Sequence, residues 1–428
     1  MKLNDKRVTN AWCMYDWANS VYSLTITTAV FPIYYESVTT QPDGTSMVSF
    51  LGFTLPNTVL YSYALSFSFL LTASILPLLT GVADYGGKKK TFLKLFVYLG
   101  GLACAGMYFF TGQNVSFGIL MAIIASVGYS GSLVFYDAYL PEIATPDRFD
   151  RLSARGYSMG YIGSVILLIL NLAMIQMPDA FGLPDNTIPA RLSFLTVAIW
   201  WIGFAQITFN RLPDNPYKRQ SEGKLWRKGY QELKKVYAQI KELGHMKRYV
   251  LAFFFYNAGV QAVMYLASLF GAKELKMEAS MLILTVLIIQ LVAIGGAFLF
   301  ARVSEKRGNI YSLMTMNLIW IAVCFAAFFV QNNIQFFILA FVVGLIMGGI
   351  QALSRATFSK LIPVETKDHA SFFSFYDVTF NISIVMGTLA YGTIEYFTGS
   401  MRFSALGLAL LFIIGLSILR KVKVAHNQ

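Results

Sequence analysis

The sequence predicts an all-α membrane protein: twelve transmembrane helices in two parallel six-helix repeats, with both termini in the cytoplasm. Three observations predict it. Twelve stretches are apolar and long enough to cross a hydrocarbon core about 30 Å thick, which takes roughly 20 residues of helix. Lys and Arg crowd onto alternate connecting segments. Sequence features that close spans in the first half recur in the second. A mean hydropathy of +0.57, with 56 % hydrophobic residues, is more apolar surface than a soluble core absorbs.

The expected spans are 10–36, 58–82, 91–112, 116–140, 153–177, 190–210, 248–271, 280–302, 309–331, 334–361, 371–397 and 402–420. The first carries Asp16 and runs past Pro32, too long for the apolar region of a cleavable leader. A polar segment over 38–57, with Pro42, Gly44 and Pro56, connects it to the second and has no assigned function. The longest gap divides the chain into a lobe over 1–210, a linker over 211–247 and a lobe over 248–428. In that linker Leu225, Leu233, Val236, Tyr237, Ile240 and Leu243 recur at helical spacing between Lys and Glu. This pattern predicts an amphipathic helix lying on the inner leaflet.

Of the 34 Lys and Arg, only Arg191, Lys273, Lys276 and Arg402 fall on the opposite side from the rest. By the positive-inside rule this places both termini in the cytoplasm of a multi-pass protein of the cytoplasmic (inner) membrane. The net charge of +12 therefore reads as topology and attraction to anionic membrane lipids, with no nucleic-acid partner. Cys13, Cys104 and Cys324 lie singly within spans and read as small buried hydrophobes. His245, His369 and His426 fall at helix ends or tails, which argues against a metal site.

The repeats show in three pairs. Pro141, ending the fourth span, has its counterpart in Pro363, ending the tenth. The turn 84–89 corresponds to 304–309, and Tyr15-Asp16-Trp17-Ala18 to Tyr256-Asn257-Ala258-Gly259. Both halves start on the same side, so the repeats are parallel, as in two-lobed secondary transporters.

A charge at the centre of a bilayer costs about 2.5–3.5 kcal/mol on insertion scales, so charges there face a cavity or a partner. Asp16, Asp137, Arg355 and Asp377 lie at similar depths in spans one, four, ten and eleven. Spans three, six, nine and twelve carry no ionisable residue in their interiors. The four charges predict a water-accessible vestibule in which acids take protons or cations and Arg355 meets an anionic group. Spacing leaves open which acid pairs with Arg355. The amides Asn19, Asn257, Gln261, Gln290, Gln351 and Asn381, with Tyr22, Tyr136 and Tyr376, suit a small polar solute, although each amide also serves as interhelical glue. Gly156, Gly160 and Gly163, and again Gly344, Gly348 and Gly349, form small-residue faces that would let one lobe rock against the other, or simply pack.

Thr80–Lys89 (TGVADYGGKK) resembles the loop between helices two and three of the major facilitator superfamily. The resemblance implies a conformational latch made by Asp84, Gly87, Lys88 and Lys89, holding the lobes together near the start of helix eleven. Thr80 and Tyr85 depart from the usual Gly and Arg. Trp12–Ser20 (WCMYDWANS), Phe135–Pro141 (FYDAYLP), Gly349–Arg355 (GIQALSR) and Phe372–Val378 (FFSFYDV) resemble the branch containing the yeast vacuole effluxer and its bacterial relatives. Membership implies a pathway lined by helices 1, 2, 4, 5, 7, 8, 10 and 11, with amino acids as the solute by analogy. Relatives often carry Asn at Asp137, Asp at Ala258 and Lys near Asn381, so the ion or solute of this chain need not be theirs.

The expected function is secondary active transport of a small polar solute, an amino acid or related metabolite, by alternating access with proton coupling. Its partners are that solute, protons and membrane lipids, and no cofactor is implied. A lipid, peptide or muropeptide permease of the same fold is the nearest alternative, and a non-transporting membrane sensor a further one. No P-loop, zinc-ligand spacing or nucleophile–base pair points to an enzyme.

Overall fold

The computed structural model describes residues 2–41, 46–50, 52–183, 187–218 and 225–424. Pro42, Gly44 and His426 lie outside them. Helices α1 (Lys6–Val21) and α2 (Phe31–Thr39) flank a π-helical segment, Tyr22–Val30, and together they occupy the first expected span. Asp5 caps α1 by accepting from the Arg7 amide. Pro32 has no N–H to donate back, and the run from Thr25 to Thr28 is β-branched and a weak helix former. The wider i→i+5 pitch resolves both, and the Thr28 hydroxyl bonds the Ser23 carbonyl five residues back. Segments of this kind concentrate at functional sites.

A hairpin, β1 (Met47–Phe50) with β2 (Phe53–Pro56), follows in the loop that had no assigned function. The remaining helices are α3 (Asn57–Gly86), α4 (Lys89–Met107), α5 (Val115–Asp137), the short α6 (Leu140–Ile143), α7 (Phe149–Gln176), α8 (Thr187–Arg211), α9 (Leu225–Glu242), α10 (Gly244–Glu274), α11 (Ala279–Arg307), α12 (Asn309–Phe329), α13 (Asn333–Leu361), α14 (His369–Thr398) and α15 (Met401–Leu419). Eleven helices among the described residues are long and apolar enough to cross a membrane. They coincide with the second to twelfth expected spans.

Packing follows the repeat. In the first half α1 packs on α7 and α8, and α4 on α5 and α8. In the second half α10 packs on α14 and α15, and α12 on α13 and α15. The halves meet where α7 lies against α11 and α13, and where α14 lies against α3 and α5. These two junctions exchange under the repeat. Helices α4, α8, α12 and α15, whose charges lie toward their ends, present Leu102, Ile199, Phe329 and Leu410 outward, as helices facing lipid do. Both chain ends lie on one face, the Asn4 amide bonding the Ile143 carbonyl and the Lys423 amide bonding His245.

The glycine faces serve a different contact from a rocking interface between halves. Gly156, Gly160 and Gly163 fit α7 onto α1, against Asp16, Ser20 and Trp17. Gly344 and Gly348 fit α13 onto the α11 backbone at Ile289 and Ala293, while Gly349 meets Phe300 and Met316. Each set tightens a contact inside its own half, where a Cβ would strike backbone or a bulky side chain. The junction between halves uses alanine and serine instead. Ala154, Ala297, Ala301 and Ala352 form a buried cluster, and the Ser153 hydroxyl bonds the Ala352 carbonyl at 2.8 Å.

Helix α9 is amphipathic as predicted, but its apolar side meets protein. Gly229 lies against α3, where a Cβ would sit 2.7 Å from the Val82 nitrogen. Val236 is fully buried, Tyr237 stacks on Phe375 of α14, and Lys235 pairs with Asp368 at 3.5 Å. Partial burial pushes Lys235 toward its neutral form, but Asp368 and Glu232 outweigh this and hold its pKa above the usual lysine value. The helix thus straddles α3 and α14, one from each half. Gly229→Leu should lift α9 from this seat with the membrane helices intact. Faster protease cleavage within 225–242, at an unchanged unfolding temperature, would register it.

Candidate functional site

Arg355 is the centre of the molecule's charge pattern. It stands on α13, in the second half, and reaches two aspartates of the first. Its Nη2 donates to Asp16 Oδ2 at 3.1 Å and its Nη1 to Asp137 Oδ1 at 3.0 Å. Nε donates to the Ser153 hydroxyl at 2.9 Å, and Nη2 also to the Ser153 carbonyl at 3.1 Å. The guanidinium lies over the rings of Tyr157 and Trp12, at 4.3 Å and 4.7 Å. Tyr136 supports the arrangement by donating its hydroxyl to Asp16 at 2.7 Å. Arg355 is 1 % exposed and Asp16 4 %. Planar bidentate donors and ring stacking make Arg the residue suited to such a position, which Lys would not fill.

Gly156 of α7 is what lets the triad close, because a Cβ there would collide with the Asp16 carboxylate and sit 3.0 Å from Arg355 Nη2. Gly156→Ala should displace the triad and destabilise by about 1–3 kcal/mol, the usual range for overpacking. A lowered unfolding temperature, together with loss of flux, is the expected reading.

Above the triad lies a cavity of about 200 Å³, lined from both halves. Of the residues singled out from sequence, Asp16, Asn19, Tyr22, Asp137, Gln261, Gln290, Gln351, Arg355, Tyr376 and Asp377 line it. Tyr136, Asn257 and Asn381 stand behind this wall. Tyr136 lies beneath the triad, Asn257 binds the Ser383 hydroxyl at 2.6 Å, and Asn381 donates to Asp377 Oδ2 at 2.8 Å. Sequence reading missed four lining tyrosines, Tyr129, Tyr157, Tyr161 and Tyr265. A signal existed for two of them, since Tyr157 and Tyr161 share a helical spacing with Gly156 and Gly160. Tyr161 donates to the Gln351 side chain at 2.6 Å, across the junction between halves.

On the face that carries the chain ends, the halves are tied together. Asp84 at the end of α3 accepts the backbone amides of Ser371 at 2.7 Å and Ala370 at 3.3 Å. These amides belong to the first turn of α14, where the helix dipole favours an anion. Lys89 is buried between Glu142 and Asp84, and Gly87 turns the chain at φ 62°, a conformation suited to glycine. Lys88 is exposed. Lys90, which sequence reading counted only toward topology, is buried and bonds the Leu212 carbonyl at 2.9 Å. A second tie is related by the repeat with its polarity reversed. Asp150, on α7, takes Lys360 at 2.8 Å, Asn309 at 2.7 Å and Ser304 at 2.8 Å. Ser304 stands where the repeat aligns Asp84.

Residues 4–428 match the family described as "Vacuole effluxer Atg22 like". The chain belongs to this family. Among its relatives is the uncharacterized MFS-type transporter YxiO of Bacillus subtilis (strain 168), 32 % identical over 96 % of this chain and 93 % of that one. Autophagy-related protein 22-1 of Penicillium rubens is 24 % identical, over 93 % of this chain and 80 % of the relative. Solved structures share the fold. FucP, a major facilitator superfamily transporter in the outward conformation, superposes with TM-score 0.70 at 15 % identity, covering 97 % of each chain. The proton:xylose symporter XylE gives 0.73 at 13 % identity, covering 97 % of this chain and 95 % of that one. The family and the fold are those of membrane transporters of the major facilitator type.

Proposed function

We propose that the chain is a secondary active carrier of a small polar solute, working by alternating access with proton coupling. In this reading α1, the π-helical segment and α2 form the first of twelve spans, and both chain ends lie in the cytoplasm. The lobes are 1–210 and 248–428, joined by the 211–247 linker, in the cytoplasmic (inner) membrane. The observation that carries the proposal is the cavity between the halves, lined by hydroxyls, amides and carboxylates among apolar side chains and sealed below by the Arg355 triad and the Asp84 and Asp150 ties. A closed floor beneath a solute-sized cavity is what an outward-facing carrier presents. Its volume and its hydroxyl, amide and carboxylate lining support a small metabolite over a lipid or muropeptide.

Arg355, with two carboxylates, offers a route to coupling. A proton on Asp16 or Asp137 leaves the guanidinium a single counterion and loosens the one charged link that joins the lobes at cavity depth. Opening of the cytoplasmic face then needs the Asp84 and Asp150 ties to part. An amino acid or related metabolite is the leading solute by analogy with the yeast vacuole effluxer, and export is the direction the word effluxer suggests. The test is flux of labelled solutes into proteoliposomes under an imposed pH gradient. Carriage that depends on the gradient is expected, with its loss when Asp16, Asp137 and Asp377 are replaced by Asn. Gradient-driven flux untouched by those replacements would remove proton coupling through these acids.

A further inference from the structure

We infer that the solute carries a net positive charge and that its cationic group seats at Asp377, which turns the small metabolite from a zwitterionic amino acid to a small organic amine; this rests on the carrier reading above and replaces its leading solute. The charge count points there first. The ionisable carboxylates and bases lining the cavity are Asp16, Asp137, Arg355 and Asp377. With all four ionised the lining holds one positive charge against three negative ones. Among the described residues that line it there is no Lys, no His and no second Arg.

The one base is already committed. Four hydrogen bonds, to Asp16, Asp137 and twice to Ser153, use most of the five N–H donors a guanidinium has. The rings of Tyr157 and Trp12 lie against it, at 4.3 and 4.7 Å. A solute carboxylate approaching it would find at most one donor unused and would meet the repulsion of both aspartates.

Asp377 is in the opposite condition. It is 8 % exposed, lines the cavity and has no ion-pair partner among the described residues. Its only side-chain donor is neutral, the Asn381 amide at 2.8 Å, which also bonds the Asp377 carbonyl. A buried carboxylate is stable when a cation or a proton joins it, and the cavity gives it an approach. The surroundings suit a cation. Tyr129, Tyr157, Tyr161, Tyr265 and Tyr376 bring hydroxyl acceptors and ring faces, which attract ammonium groups, and Gln261, Gln290 and apolar side chains such as Phe69, Met264 and Phe380 line the cavity for the neutral remainder of the solute.

One carboxylate holds either the cation or a proton. If the two load Asp377 on opposite sides of the membrane, the exchange is an antiport: the amine leaves on one side, and a proton takes its place for the return.

A charge series on fixed skeletons tests this. Alanine, leucine and phenylalanine are each offered as the amide (cation), the free amino acid (zwitterion) and the N-acetyl acid (anion). Binding is read by thermal shift on purified full-length protein, and flux in proteoliposomes. Amides should bind at least tenfold more tightly than the free amino acids, with N-acetyl acids not binding. Asp377→Asn should lose amide binding while unfolding at the parent temperature without ligand, and Asp377→Glu should recover part of it. Free or N-acetylated forms binding as well as the amides would overturn the assignment, as would amide binding indifferent to Asp377→Asn or no amide binding at all. A labelled mixture of neutral and anionic metabolites, run in the same liposomes, separates the two readings. Carriage of any of these while cations are ignored keeps the carrier and removes the cation site. Carriage of nothing in either set removes both.

Discussion

Arg355→Ala is expected to lower stability by about 3–5 kcal/mol, the usual consequence of removing one partner of a buried ion pair, and to abolish solute flux. Two carboxylates, Asp16 and Asp137, would then face the space left by the guanidinium with no countercharge. Ser153 would lose a donor, and the rings of Trp12 and Tyr157 the cation they lie against. Loss of flux alone could report a collapsed protein, so a neutral replacement is the informative companion. Arg355→Met combined with Asp16→Asn and Asp137→Asn removes all three charges at nearly constant volume. Buried ion pairs replaced by uncharged residues are often neutral or stabilising. The triple variant should therefore regain much of the unfolding temperature lost in Arg355→Ala while remaining without pH-driven flux. Arg355→Ala with parental stability and flux would make the triad a bystander.

The spans were legible because lipid enforces them: only a long apolar run satisfies its own backbone in hydrocarbon. Eleven helices fall where the runs lie. Other features needed the third dimension. Asp16, Asp137 and Arg355 could be placed at a common depth by counting residues, but rotation about each helix axis decides which of them meet, and no spacing rule fixes that across separate helices. The glycine faces were visible, yet whether they served contact within a half or between halves depended on the neighbours of α7 and α13. Lys90 and Lys360 looked like topological charge, because a Lys at a helix end usually snorkels to water. Lys90 is instead buried and Lys360 half-buried, each against a specific acceptor. The pitch of Tyr22–Val30 was hidden for another reason, since Pro32 and the β-branched run mark a weak helix without saying how it adapts.

Asp84→Ala should swing the resting population toward opening of the face that carries the chain ends. The carboxylate accepts two amides in the first turn of α14, and hydrogen bonds to a charged group contribute about 1.5–3 kcal/mol each. Losing one such contact is enough to move a two-state equilibrium by roughly ten- to a hundredfold. Lys89 keeps Glu142, so the turn itself should hold its shape. Asp84→Asn retains an acceptor oxygen and should fall between the parent and the alanine variant. Asp150→Ala attacks the reversed tie, freeing Lys360, Asn309 and Ser304, and the double variant should open further than either alone. Ser371→Cys, fully buried in the closed form, supplies the reporter once Cys13, Cys104 and Cys324 are replaced by alanine. Maleimide should label it slowly in the otherwise unaltered protein, faster with Asp84→Asn and fastest in the double variant. Equal rates throughout would mean that closure rests on the apolar junction of α7 with α11 and α13, and that these carboxylates only decorate it. The ranking also bears on transport, because a carrier locked open on one side binds its solute but cannot turn over. Variants that label fastest should therefore retain solute binding while net flux falls.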